Sequence, residues 1–266
     1  MVQSHEVALL LIALLACQPE PPARPEDPAP KIGTVLLADR AAVSPGGALT
    51  LALRLSLPEG WHVYWTNPGE TGLATSADLQ APAGFSASGP LWPGPERFVS
   101  PGDITAYGYA GEAWVIWTLQ APGTLAAGPF AFTAQVDWLA CKELCVKGAA
   151  TVSLTLPTGP DAPGSDLSAA LARLPRPAAS WPGAALSWSE DRRAATVSVP
   201  GATDLLLFPG ADLELALESA EVRESGRDRE LRIQARSEIA GMDLGVLRVS
   251  TPSGPPLYLD LNTFTP

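Results

Sequence analysis

Alternation of apolar and polar side chains is the strongest signal along this chain. Leu49, Leu51, Leu53, Leu55 and Leu57 alternate with Thr50, Ala52, Arg54 and Ser56. A period of two predicts a strand with one buried face. After the turn Pro58-Glu59-Gly60 the alternation resumes, with Trp61, Val63 and Trp65 on one side and His62 and Tyr64 on the other. Tyr107-Gly108-Tyr109 and Glu112 to Trp117 lead into further strands. Phe130, Phe132, Ala134, Val136 and Trp138 share the next apolar face, which puts Cys141 on the opposite one. Val152, Leu154 and Leu156 form the apolar face of a returning strand, with Cys145 opposite them. Regular strands would therefore carry both sulfurs on the non-core face of one hairpin, flanking Lys142-Glu143-Leu144; a bulge would break the parity.

The pattern divides the chain. Residues 31–157 read as a first β-domain, interrupted from Asn67 to about Gly102 by a Gly/Pro-rich stretch that contains Trp92-Pro93-Gly94-Pro95-Glu96-Arg97-Phe98. A loop so long and aromatic is more often functional than idle. Residues 158–183 read as a linker, with a short helix that Ser165 caps, running to Leu174 and stopped by Pro175-Arg176-Pro177. Residues 184–266 read as a second β-rich domain, with strands around Leu186–Trp188, Thr196–Val199, Leu205–Phe208, Leu231–Ala235, Gly245–Val249 and Leu257–Leu261. Leu213, Leu215 and Leu217 also alternate, although Ala211 to Glu221 suits a helix by composition.

The N-terminus changes the expected compartment. Val7 to Ala16 is an apolar run of ten residues ending at Cys17, too short to span a bilayer and suited to a signal-peptide core. Leu14, Ala16 and then Cys17 resemble a bacterial lipoprotein signal, in which residues 1–17 form the signal region and Cys17 is the lipidated residue. One departure is the absence of Lys and Arg from Met1 to Glu6. Residues 18–30, six of them proline, read as an extended tether with a reach of roughly 40 Å.

Composition narrows the chemistry. With 28 prolines and 24 glycines among 266 residues, many short strands and turns are favoured over helices. A net charge of −11 argues against a nucleic-acid partner. The only histidines are His5 and His62, which argues against a histidine-rich metal site or a Ser-His-Asp triad. No metal site and no cofactor are expected. The second domain has neither Cys nor His and reads as a structural or docking module.

That leaves Cys141 and Cys145. A disulfide stabilises mainly by restricting the unfolded chain, so a five-residue ring contributes roughly 2 kcal/mol, against almost 5 for a 100-residue loop. Facing residues of a hairpin have Cα atoms about 4.5 to 5.5 Å apart, toward the short end of disulfide geometry, where the bond is easier to reduce. Lys142 favours a thiolate at Cys141; Asp137 and Glu143 oppose it. A redox-active pair is the leading reading. A structural disulfide and a soft-metal pair remain open, though the latter would have only His62 and Met242 as further ligands.

Four motifs in order carry a resemblance: Gly60 to Leu73 (GWHVYWTNPGETGL), Trp92 to Phe98 (WPGPERF), Tyr107 to Tyr109 (YGY) and Val136 to Cys145 (VDWLACKELC). Together they resemble the periplasmic N-terminal domain of the DsbD/ScsB thiol:disulfide interchange proteins, and the ScsB-like branch most. The resemblance implies an all-β fold: an immunoglobulin-like sandwich bearing the Cys pair, followed by a second, smaller β-sandwich-like domain. It implies that Cys141 and Cys145 are the redox pair, which takes electrons from a membrane-embedded thiol electron transporter and passes them to periplasmic thiol-disulfide proteins. It implies an aromatic cap over the pair, here Pro93 to Phe98 with Phe98 the lid and Arg97 beside it; His62 and Tyr64 are expected to line the site. The chain carries no polytopic membrane stretch and no Cys-x-x-Cys thioredoxin module, so either a separate membrane protein is expected to reduce it or it has been redeployed. The expected setting is the periplasm, lipid-anchored to a bacterial membrane. Which cysteine attacks is open in the sequence; a Cys145→Ser variant is the first choice for trapping partners. The rival functions are a non-catalytic binding lipoprotein with a structural disulfide, and a copper-handling protein.

Overall fold

The computed structural model describes residues 30–126, 128–226 and 228–264. The signal region with Cys17, and all of the tether but Pro30, lie outside the described residues. No helix among the described residues is long and apolar enough to cross a membrane.

The first half of the described chain forms ten strands: β1 Gly33–Ala38, β2 Ala48–Ser56, β3 His62–Gly69, β4 Ser76–Gln80, β5 Ser86–Leu91, β6 Glu96–Ser100, β7 Ile104–Ala110, β8 Glu112–Gln120, β9 Phe130–Cys141 and β10 Cys145–Leu156. They make two facing sheets, β1-β2-β8-β5 and β10-β9-β3-β7-β6, with β4 joined to β9. The all-β expectation from the alternation holds, and the sandwich is immunoglobulin-like. Leu51, Leu53 and Leu55 of β2, Val115 of β8, Val63 of β3, Tyr109 of β7 and Phe132 of β9 are all essentially inaccessible and fill the space between the sheets. Each belongs to the apolar parity of its strand, so the pattern of period two becomes a core directly.

The outer face of β2 departs from simple alternation. Ala52 is fully buried, although its parity is that of solvent-facing Thr50 and Arg54. The cause is α1 (Ser168–Ala172), whose Ala170 packs with Leu167 on Ala52 of β2 and Ile116 of β8. The helix begins later than the sequence predicts, and it is the Asp166 carboxylate, not Ser165, that accepts a hydrogen bond from the Ser168 amide at 2.9 Å.

The second β-unit follows with β11 Arg176–Pro177, β12 Ala185–Trp188, β13 Ala194–Val199, β14 Asp204–Phe208, α2 Ala211–Ala216, β15 Leu217–Ser225, β16 Asp228–Ala235, β17 Val246–Ser250 and β18 Leu257–Asp260. Its sheets, β11-β18-β17-β14 and β12-β13-β16-β15, enclose Val197, Leu213, Ile233 and Leu247. The stretch from Ala211 holds both predicted alternatives in succession, a helix of six residues and then a strand.

The two units share a core. Phe208, at the end of β14, is fully buried against the first sandwich. Its ring meets Trp65 edge-on at 6.4 Å, Tyr107 edge-on at 5.4 Å, and lies 6.3 Å from Tyr258. Asn67 anchors the seam: its amide Nδ2 donates to the Pro209 carbonyl at 2.9 Å, while its Oδ1 accepts from the Gly69 amide.

Candidate active site

Strands β9 and β10 pair in register along their whole length, so that Cys145 directly faces Cys141. The two sulfurs form a disulfide, with Cα atoms 4.1 Å apart. The two cysteines differ in surroundings. Cys141 is 3% exposed, whereas Cys145 is open to solvent. Sequence parity predicts one shared exposed face; burial splits the pair because β3 and β6 cover only the β9 side.

His62 of β3 is the register partner of Cys141, which brings Tyr64 onto the same face two residues on. The Tyr64 hydroxyl donates a hydrogen bond to the Cys141 sulfur at 3.2 Å, and Tyr64 is itself 4% exposed. Burial raises the Tyr64 pKa, so its proton is held throughout the neutral range. The tyrosine ring also lies over Gly72, where a Cβ would collide with it. His62 is half-buried, and burial lowers its pKa; it is a neutral imidazole at pH 7 and supplies no positive charge to a thiolate.

Phe98 of β6 stacks on the His62 ring at 4.8 Å with an interplanar angle of 21°. His62 meets Tyr64 edge-on at 5.4 Å. Phe98, Tyr64, Ala106 and Cys141 thus form one small cluster on the outer face of the sheet. The register of β6 on β7 explains the choice of side chain: Phe98 pairs with Ala106, whose small side chain leaves room, and faces the sulfur.

Arg97 lies outside this cluster, and Lys142 follows Cys141 in the hairpin turn. Arg97 pairs with Tyr107 and points to the opposite face of β6 from Phe98. There it lines a groove of about 340 Å³ between the β6–β7 hairpin and the second unit. The Lys142 stem lies over Gly60, whose Cβ position would be 3.1 Å from Lys142 Cε. The turn at Gly60 has φ +80°. Among the described residues no group of three or more His, Cys, Asp and Glu side chains is arranged to hold a metal ion.

Sequence reasoning passed over Gly108. Its backbone runs so close to β3 that a Cβ there would strike the Val63 carbonyl and the backbone of Tyr64. The Tyr-Gly-Tyr motif contains the signal: the two tyrosines face the core, and the glycine between them lets β3, with His62 and Tyr64, sit close on β7.

This geometry supports dithiol–disulfide chemistry. An incoming thiolate can reach Cys145, while the Tyr64 hydroxyl stands ready at the sulfur that would leave. Comparisons with known proteins bear on the same residues. Residues 34–157 match the family model described as thiol:disulfide interchange protein DsbD, N-terminal. The solved N-terminal periplasmic domain of ScsB from Proteus mirabilis is similar in fold, with a TM-score of 0.58 at 17% identity, over 90% of this chain and 94% of that one. The N-terminal domain of DsbD from Neisseria meningitidis, in its reduced form, aligns at 11% identity with a TM-score of 0.26, over 49% of this chain and 90% of that one. No curated protein matches the chain.

Proposed function

With residues 34–157 a DsbD/ScsB-like N-terminal domain, we propose that the chain exchanges dithiol and disulfide through Cys141 and Cys145, relaying reducing equivalents from a membrane-embedded thiol transporter to periplasmic partner proteins. The observation that carries this reading is the asymmetry of the pair: an exposed Cys145 bonded to a buried Cys141 whose sulfur accepts the Tyr64 hydrogen bond.

The steps follow from access. A donor thiolate attacks the Cys145 sulfur, a donor–Cys145 disulfide forms, and the Cys141–Cys145 bond breaks. Cys141 leaves as a thiolate facing the Tyr64 hydroxyl. The donor's second thiolate then attacks its own sulfur in the mixed disulfide, which releases Cys145 and leaves the donor oxidised. In the outward step the Cys145 thiolate attacks an acceptor disulfide. Cys141 resolves the resulting mixed disulfide, and the acceptor departs as a dithiol. Phe98 acts as the lid over Cys141, His62 as the surface on which the lid rests, and Cys17 as the lipid attachment that keeps the domain at a bacterial membrane in the periplasm.

Burial reverses the choice of trap. Cys141, as the resolving residue, is the one to remove: Cys141→Ser is expected to accumulate mixed disulfides with periplasmic proteins on Cys145, and Cys145→Ser is expected to accumulate none. The measurement is mobility on non-reducing gels followed by identification of the adducts. A reduction potential well below about −300 mV, the range of structural disulfides, together with no adduct in Cys141→Ser, would overturn the proposal.

A further inference from the structure

The lid is held from outside the sandwich that bears the disulfide. Its root, Pro93-Gly94-Pro95, is buried, whereas Glu96, Arg97, Val99 and Ser100 beyond it are exposed. Prolines lack an amide proton, so this tripeptide has only four backbone polar groups: three carbonyls and the Gly94 amide. All four are satisfied. The Tyr109 hydroxyl donates to the Pro93 carbonyl at 2.7 Å. The Gly94 amide donates to the Arg173 carbonyl at 2.8 Å. The Arg173 guanidinium donates back to the Gly94 carbonyl at 3.3 Å. The Tyr258 hydroxyl donates to the Pro95 carbonyl at 3.2 Å.

Three of these four bonds come from Arg173, just after α1, and Tyr258 in β18. The Tyr258 ring also lies so close to Gly94 that no side chain fits there. One further contact crosses the boundary: the Arg173 guanidinium stands 3.6 Å from the Glu96 carboxylate. Beyond Glu96 the lid is an edge strand, paired only with β7.

We propose that Arg173 and Tyr258 are positioning residues that hold the root of the lid, so that the linker after α1 and the second unit together set how readily Phe98 moves off Cys141. This deepens the exchange function proposed above and rests on it. The root and the tip are mechanically distinct: Pro93 to Pro95 are tied to three separate parts of the molecule, and the hairpin from Glu96 to Ile104 moves about that fixed point. Segments outside the sandwich that bears the disulfide thereby regulate access to its buried sulfur.

The test uses the full chain carrying Cys145→Ser, in which alkylation of the Cys141 thiol by iodoacetamide reports opening of the lid. Tyr258→Phe deletes one hydroxyl and is expected to raise the alkylation rate about fivefold, the factor set by the net contribution of one hydrogen bond. Arg173→Ala is expected to raise it further, and Arg173→Lys to restore part of the loss. Amide hydrogen exchange should accelerate in β6 and not in β2 or β8. Unchanged alkylation in both Tyr258→Phe and Arg173→Ala overturns the proposal, and so does an acceleration of exchange shared by all strands. Phe98→Ala separates the two levels: if it leaves the Cys141 rate unchanged, the lid itself, and with it the reading of the site, is wrong.

Discussion

Tyr64 is the residue on which the proposed exchange chemistry turns. It is buried, keeps its proton, and places its hydroxyl oxygen 3.2 Å from the sulfur that would take up negative charge in the proposed exchange. With His62 neutral and the Lys142 stem over Gly60, the hydroxyl is the donor at hand for the departing thiolate. A hydrogen bond to a charged group contributes ~1.5–3 kcal/mol. Tyr64→Phe keeps the ring over Gly72 and deletes only the donor. It is expected to slow reduction of the disulfide by dithiothreitol about tenfold, followed by tryptophan fluorescence at pH 7, with little change in the unfolding midpoint. Equal rates in the two proteins would remove Tyr64 from the mechanism. Strand parity makes the facing of His62 and Tyr64 legible in the sequence. It does not reveal that of the adjacent Arg97 and Phe98 only Phe98 faces the sulfur, because that depends on which residue of β7 each one pairs with. The unequal burial of the two cysteines is illegible for the same reason: it arises from β3 and β6, distant in the chain.

At the level of elements, the site depends on two close approaches. In one, β3 and β7 come together at Gly108; in the other, the Trp138 indole covers Gly148, the residue opposite it on β10. Glycine in a strand is ordinarily a weakness; here each glycine admits a backbone or a ring that a Cβ would displace. At Gly108 the obstacle is backbone, which cannot swing aside. Gly108→Ala is therefore expected to cost about 1–3 kcal/mol of stability by overpacking. It should also shift Tyr64 away from Cys141, so that urea unfolding with the disulfide intact and the dithiothreitol rate change together. A variant as stable as the parent, with an unchanged rate, would show that β3 and β7 can separate freely. The strands themselves are the most legible part of this chain, since alternation reports burial on one face without any tertiary information. The helix-to-strand change after Ala216 is less so: both periodicities fit the same leucines, and packing of Leu213 into the second core decides.

At the level of the molecule, the two units pack on one another around Phe208, whose three aromatic neighbours come from both sides of the seam. No sequence pattern announces this contact, because an apolar residue at a strand end reads like any other core residue. The seam also carries a charge. Glu214 of α2 is half-buried there; burial raises its pKa, outweighing the neighbouring Asn67 amide and Tyr107 hydroxyl that lower it, and the negative charge of Glu70 adds to the rise. Tyr107, beside it, is pushed upward by burial first and by Glu214 second. A carboxyl whose folded pKa lies above its unfolded value contributes stability that is complete below the ordinary carboxylate range and is lost as pH rises through the raised value. Glu214→Gln, which stays neutral, is expected to match the parent in acid and to exceed it at pH 7 in thermal unfolding. Identical pH profiles for the two proteins would show that Glu214 does not feel the seam. The disulfide has a consequence for how such a molecule is made. Its cysteines are four residues apart in sequence, so closure of the ring needs only local chain motion, on the order of 10–100 ns for short loops. Oxidation can therefore precede, follow or accompany folding of either unit. Cys141 and Cys145 are the only cysteines among the described residues, so within them the ring has no mispaired alternative to be reshuffled, and opening and closing it leaves the long-range order of the chain untouched.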